Sequence, residues 1–111
     1  MFIASLLIVA MAPSPSAAVD TTRVAFTKCL NTHMKKSLEA KMPTGEYEIA
    51  VKAACDTERA AFRSAVITLD RSSGDSEADA AENADMQIDD YNSNFTDKFK
   101  DYTESKTMPG S

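Results

Sequence analysis

The chain has 111 residues and a formal net charge of −5, with 12 Lys and Arg against 17 Asp and Glu. That balance excludes a general phosphate-backbone binder, which needs clustered Lys and Arg. Three Gly, four Pro and no Trp in an alanine-rich chain speak against an all-β fold, whose turns consume Gly and Pro.

The first element is Phe2–Met11, an uncharged and mostly apolar run. It is shorter than the roughly 18 residues needed to cross a bilayer and has the length of the apolar region of a secretory signal. Pro13 and Pro15 interrupt any helix, and Ser16-Ala17-Ala18 places small residues at the −3 and −1 positions of a cleavage site. The expected leader is therefore residues 1–18, cut after Ala18. No Lys or Arg precedes the run, the one departure from the signal pattern. This reading assigns a periplasmic or secreted location, where disulfides persist, and leaves no stable membrane span after cleavage. The expected helical domain is 19–105. The tail 106–111, with Pro109-Gly110, is expected to be disordered.

Three helices are expected in that domain. The first starts at Asp20 or Thr21, both competent caps. Phe26, Cys29, Leu30, His33, Ser37 and Leu38 then recur at helical spacing until Pro43. Thr44 can cap the second, whose apolar face reads Tyr47, Val51, Ala54, Cys55, Ala61, Phe62, Ala65, Val66 and Leu69. Arg71 and the Ser72-Ser73-Gly74 run stop it. The third runs from Asp75 or Ser76 to about Thr103, with a stripe of Ala81, Ala84, Ile88, Tyr91, Phe95, Phe99 and Tyr102.

Cys29 lies fourteen residues before Pro43 and Cys55 twelve after it. In an antiparallel hairpin both sit about 20 Å from the turn at 1.5 Å per residue, and both fall on the apolar faces just described. The spacing predicts a Cys29–Cys55 disulfide. A redox pair would more usually take the C-x-x-C form, which this chain lacks.

Charge is unevenly spread. From Val19 to Thr44 bases outnumber acids five to two, whereas from Asp75 to Ser111 acids outnumber bases ten to three. The expectation is that the basic first helix and the acidic third helix attract one another in the fold.

Several residues are candidates for chemistry. His33 is the only histidine, one turn from Cys29 on the same face. A pH sensor or metal ligand is its functional reading, and a packed histidine its structural one. Glu82, Asp85 and Asp89 form an acidic face at spacings of three and four, but a straight helix cannot offer the backbone carbonyls that calcium sites use, so no metal is expected. Glu58 is expected to pair with a base on another helix, the alternative being a buried polar anchor for a ligand. Tyr91, Phe95, Phe99 and Tyr102 are a possible interaction face or ligand groove, with core packing as the alternative. Asn94-Phe95-Thr96 matches a glycosylation acceptor. Triad order, haem motif, phosphate loop and zinc motif are all missing, so no enzymatic activity and no cofactor are expected.

The segment Ala54-Cys55-Asp56-Thr57-Glu58-Arg59-Ala60-Ala61-Phe62-Arg63, with Cys29 upstream and Met86-Gln87-Ile88-Asp89-Asp90-Tyr91 downstream, resembles the uncharacterised small exported helical proteins of α-proteobacteria, which carry a comparable A-C-x-x-E-x-x-x-F-[KR] segment. The resemblance implies a Gram-negative periplasm and carries no activity. A looser likeness, in architecture alone, is to the small disulfide-joined acid-stress chaperones of the periplasm.

The resulting expectation is an all-α fold: an antiparallel helical hairpin stapled by one disulfide plus a long third helix, making a three-helix bundle. Its expected role is that of a non-enzymatic envelope protein-interaction or structural module, acting on an envelope protein as a monomer or small homo-oligomer. The alternatives are a stress holdase responding to low pH and a small apolar-ligand carrier.

Overall fold

Ser-Pro pairs start helices well, and α1 (Pro15–Glu39) begins on one. In the computed structural model, which describes residues 14–110, the Ser14 hydroxyl accepts a hydrogen bond from the Ala17 amide at 3.2 Å. Pro15 occupies the first helical turn, where its missing N–H costs nothing. The helix thus starts ahead of the expected Asp20 or Thr21 cap. The expected cut after Ala18 falls inside α1, beside Val19, which is 5 % exposed. The apolar run Phe2–Met11 lies outside the described residues.

Helix α1 closes through a left-handed Lys41 (φ 53). The Met42 amide donates back across it to the Ser37 carbonyl at 3.0 Å, the pattern in which glycine usually occupies the left-handed position. Pro43 follows and caps α2 (Thr44–Ala53).

The uninterrupted helix expected from Thr44 to Arg71 is two helices. Ala54 is extended (φ −71, ψ 152) and Cys55 is left-handed (φ 58, ψ 43) before α3 (Asp56–Ser72). A left-handed backbone costs an L-residue about 1–2 kcal/mol, so tertiary forces hold it. One is the disulfide to Cys29, with Cα atoms 6.0 Å apart. The other is Arg59, whose guanidinium donates to the carbonyls of Lys52 at 2.7 Å and Ala54 at 2.8 Å and to Asp56 Oδ1 at 2.6 Å. One side chain on α3 thereby satisfies carbonyls that the end of α2 leaves orphaned.

Helix α4 (Glu77–Ser105) starts on Ser76, which accepts from the Asp79 amide at 3.2 Å. Glu77 and Asp79 in its first turn match the helix dipole. It ends through a left-handed Lys106 (φ 55), across which the Thr107 amide donates to the Tyr102 carbonyl at 3.1 Å. The segment expected to be a disordered tail therefore leaves α4 through a hydrogen-bonded turn.

All described secondary structure is helical. Helix α3 packs against both α1 and α4, while α2 packs chiefly against α4. The break at Ala54–Cys55 redirects the chain between these two sets of neighbours. The core has two aromatic groups. Phe26 stacks on Phe62 with centroids 5.8 Å apart, and Tyr91 meets both edge-on. Tyr47 stacks on Phe99 at 4.1 Å, with His33 on the other side of Tyr47 at 5.7 Å. Ala80 and Ala84 are fully buried, which lets α4 approach its neighbours closely.

Candidate functional site

The break that positions Cys55 also opens a groove. The disulfide ties α1 to the junction between α2 and α3, and four of the residues that line the gap beside it are alanines: Ala25 on α1 and Ala50, Ala53 and Ala54 on and after α2. Alanines cannot fill the space that the pinned helices leave. The groove has a volume of about 790 Å³, within the range of roughly 300–1,000 Å³ that binding pockets occupy. Lys28 and Lys36 border it from α1 and Glu58 from α3, while His33 and the Cys29–Cys55 bridge form part of its wall. Ile49, one helical turn before Ala53, is 75 % exposed, and Val24, one turn before Lys28, is 65 % exposed. They extend the apolar surface beyond the groove itself.

His33 connects the groove to the core. It is half-buried, its ring lies on Tyr47, and its Nδ1 has no hydrogen-bond partner. Burial lowers its pKa below the ordinary 6.5, because the imidazolium loses hydration. The Tyr47 hydroxyl is also buried without a partner, and burial pushes its pKa up to about 12.

A lowered histidine pKa makes the fold acid-sensitive. The unfolded chain takes up the proton more readily, so this contribution is complete above pH 6.5 and is lost as pH falls through 6.5 toward the folded-state pKa. Urea midpoints measured at pH 7.5 and pH 5 should fall for the native chain and fall less for His33→Phe. Equal losses in the two proteins would place the acid sensitivity elsewhere.

The other expected site residues are scattered. Phe95, 6 % exposed, and fully buried Phe99 are core residues, and Tyr91 is half-buried between Phe26 and Phe62. Of the four aromatics, Phe99 and Tyr102 line a cleft of about 420 Å³ at the end of the bundle, and Tyr91 lines a separate one of about 260 Å³. They form no common exposed face, because the stripe is the inward side of α4. In the Asn94-Phe95-Thr96 motif, Thr96 is buried and its hydroxyl donates to the Asn92 carbonyl.

Glu82, Asp85 and Asp89 are exposed. Asp85 accepts from Arg63 Nε at 2.8 Å and Nη2 at 3.4 Å, and this partner holds its carboxyl below the usual range. Arg71 and Glu77 approach at 3.6 Å. The cross-helix ion pairs among the described residues thus run between α3 and α4. The expected attraction between the bases of α1 and the acids of the last helix is not realised as ion pairs, because the arginines that reach α4 stand on α3, which packs directly against it. Nor does Glu58 form an ion pair among the described residues.

Among the described residues, the one set of three potential metal ligands whose atoms converge is Cys29, Cys55 and Glu58, within 4.8 Å of one another. With the two sulfurs bonded to each other, it offers no thiolate. No described helix is long and apolar enough to cross a membrane. No protein-family model matches the chain, and no curated protein or solved structure shows significant similarity to it.

Proposed function

We propose that this chain is an exported, non-enzymatic protein-interaction module of the cell envelope, and that it docks its partner in the groove between α1 and α2. The observation that carries this reading is an alanine-rich groove with the disulfide in its wall, one helical turn from exposed Ile49 and Val24. Small residues admit a close-packed partner, and the bridge limits how far the two walls can part. The bordering charges, Lys28 and Lys36 against Glu58, favour an amphipathic helix whose apolar stripe is flanked by carboxylates. Such a helix-in-groove mode takes its affinity from the stripe and its selectivity from the flanks. The bridge itself agrees with an oxidising compartment.

The test uses two labelled synthetic helices with the same leucine stripe, one flanked by glutamates and the other by lysines. The acidic peptide should bind, and added salt should weaken it as the flanking charges are screened. Ala53→Glu, on an exposed position of the groove, should abolish binding without lowering the melting temperature. Equal binding of both peptides, binding of neither, or full binding by the variant would each overturn the proposal.

A further inference from the structure

Among the described residues, two of the three non-glycine residues with positive φ are lysines, Lys41 and Lys106. Each closes a helix, one at the end of α1 and the other at the end of α4. Glycine holds that position at no steric cost, and an L-residue does not. Both lysines line the same cleft of about 420 Å³ at the end of the bundle. Its apolar walls are Leu38, Met42, Phe99 and Met108. Tyr102 adds an aromatic residue, and no carboxylate residue contributes to the lining.

We infer that this cleft binds a single-chain fatty-acid anion, with the alkyl tail against the apolar walls and the carboxylate between the Lys41 and Lys106 ammoniums. The chemistry of the lining carries the assignment. An apolar cleft whose charged lining residues are both cationic, with the neutral hydroxyl residues Tyr102, Thr103 and Thr107 beside them, complements an amphiphile with one negative head. The negative ends of two helix dipoles meet here and repel an anion, so the site needs both ammoniums to offset them. This cleft is separate from the groove at the disulfide and shares none of its lining residues.

The competing explanation is that the lysines merely complement the helix dipoles, and the experiment separates the two. Dodecanoate and the neutral dodecanol are titrated into the full chain, following the methyl resonances of Met42 and Met108. The same titrations are run on the Lys41→Gly/Lys106→Gly and Lys41→Gln/Lys106→Gln double variants. Dodecanoate should bind the native chain and dodecanol should bind far more weakly. Both variants should lose about ten-fold or more in dodecanoate affinity, as expected when charge-assisted contacts are removed. The glycine variant should melt no lower than the native chain, since it relieves two left-handed side chains. Three results would overturn the inference: no dodecanoate binding, equal affinity for dodecanol, or undiminished binding by the glutamine variant. A glycine variant that melts lower would assign the lysines to the fold instead.

Discussion

Replacing Cys29 and Cys55 together by serine should lower the folding free energy by about 3–4 kcal/mol. That is the chain-entropy value for opening a loop of this length, and the bond spans a sequence separation of 26. Small domains have a total stability of roughly 5–15 kcal/mol, so the loss consumes much of the margin. The double change avoids leaving one reactive thiol. It should also release the left-handed backbone at Cys55, because the bridge is one of the two forces that hold it. Arg59 is the other, and its bonds to the Lys52 and Ala54 carbonyls remain. The variant should therefore keep helical circular dichroism at low temperature while its urea midpoint falls. A loss below about 1 kcal/mol would show that Arg59 and packing hold the break without the bridge, leaving the usual disulfide contribution unrealised.

Phe62→Ala should cost about 3–5 kcal/mol, the range for deleting a buried aromatic and leaving its cavity. Phe62 is fully buried, stacked on Phe26 and edge-on to Tyr91, with the Arg23 guanidinium 5.7 Å from its ring centre. It stands where α1, α3 and α4 meet, so no single neighbour can move to refill the space. In a domain of this size each kcal/mol shifts the melting temperature by about 4–8 °C, so the melt should move by tens of degrees. Ala61→Lys serves as the contrast. The apolar pattern puts Ala61 beside Phe62 in the core, whereas the structure exposes it. Its replacement should change stability by less than about 0.5 kcal/mol. Destabilisation by Ala61→Lys as strong as that by Phe62→Ala would place Ala61 in the core.

The helical character and the disulfide were legible because both follow from spacing alone. Apolar residues three and four apart mark a helix face, and two cysteines equidistant from Pro43 can meet only if the chain folds back there. The helix break was not legible. Ala54-Cys55 contains neither Gly nor Pro, and the forces that hold it, a bond to α1 and the reach of Arg59, are tertiary. The face of α3 nonetheless matches the apolar pattern, with Phe62, Ala65 and Val66 buried, and only Ala61 at its edge is exposed. The start of α1 was hidden for a different reason. Ser14-Pro15 reads equally well as a helix breaker after an apolar run and as a cap with proline in the first turn. Polar Asn92 and Thr96 are buried on α4, so its inward face is wider than its apolar stripe. The groove left no trace in the sequence, since alanines are neutral between a close helix contact and an empty gap. Lys41 and Lys106 likewise carry no signal, the latter falling in the tail expected to be disordered, until the backbone shows what their positions cost.

The covalent loop also changes how the molecule bears load. The bond joins Cys29 to Cys55, and all of α2 lies between them in the chain. Tension applied at the two ends would pass from α1 through the sulfur bridge directly into α3. Helix α2, the turn at Pro43 and the α2 wall of the groove lie off that line of force. A partner seated against α2 would therefore stay bound to a stretched molecule until the bridge itself was reduced. That would make the grip insensitive to pulling and sensitive to thiols.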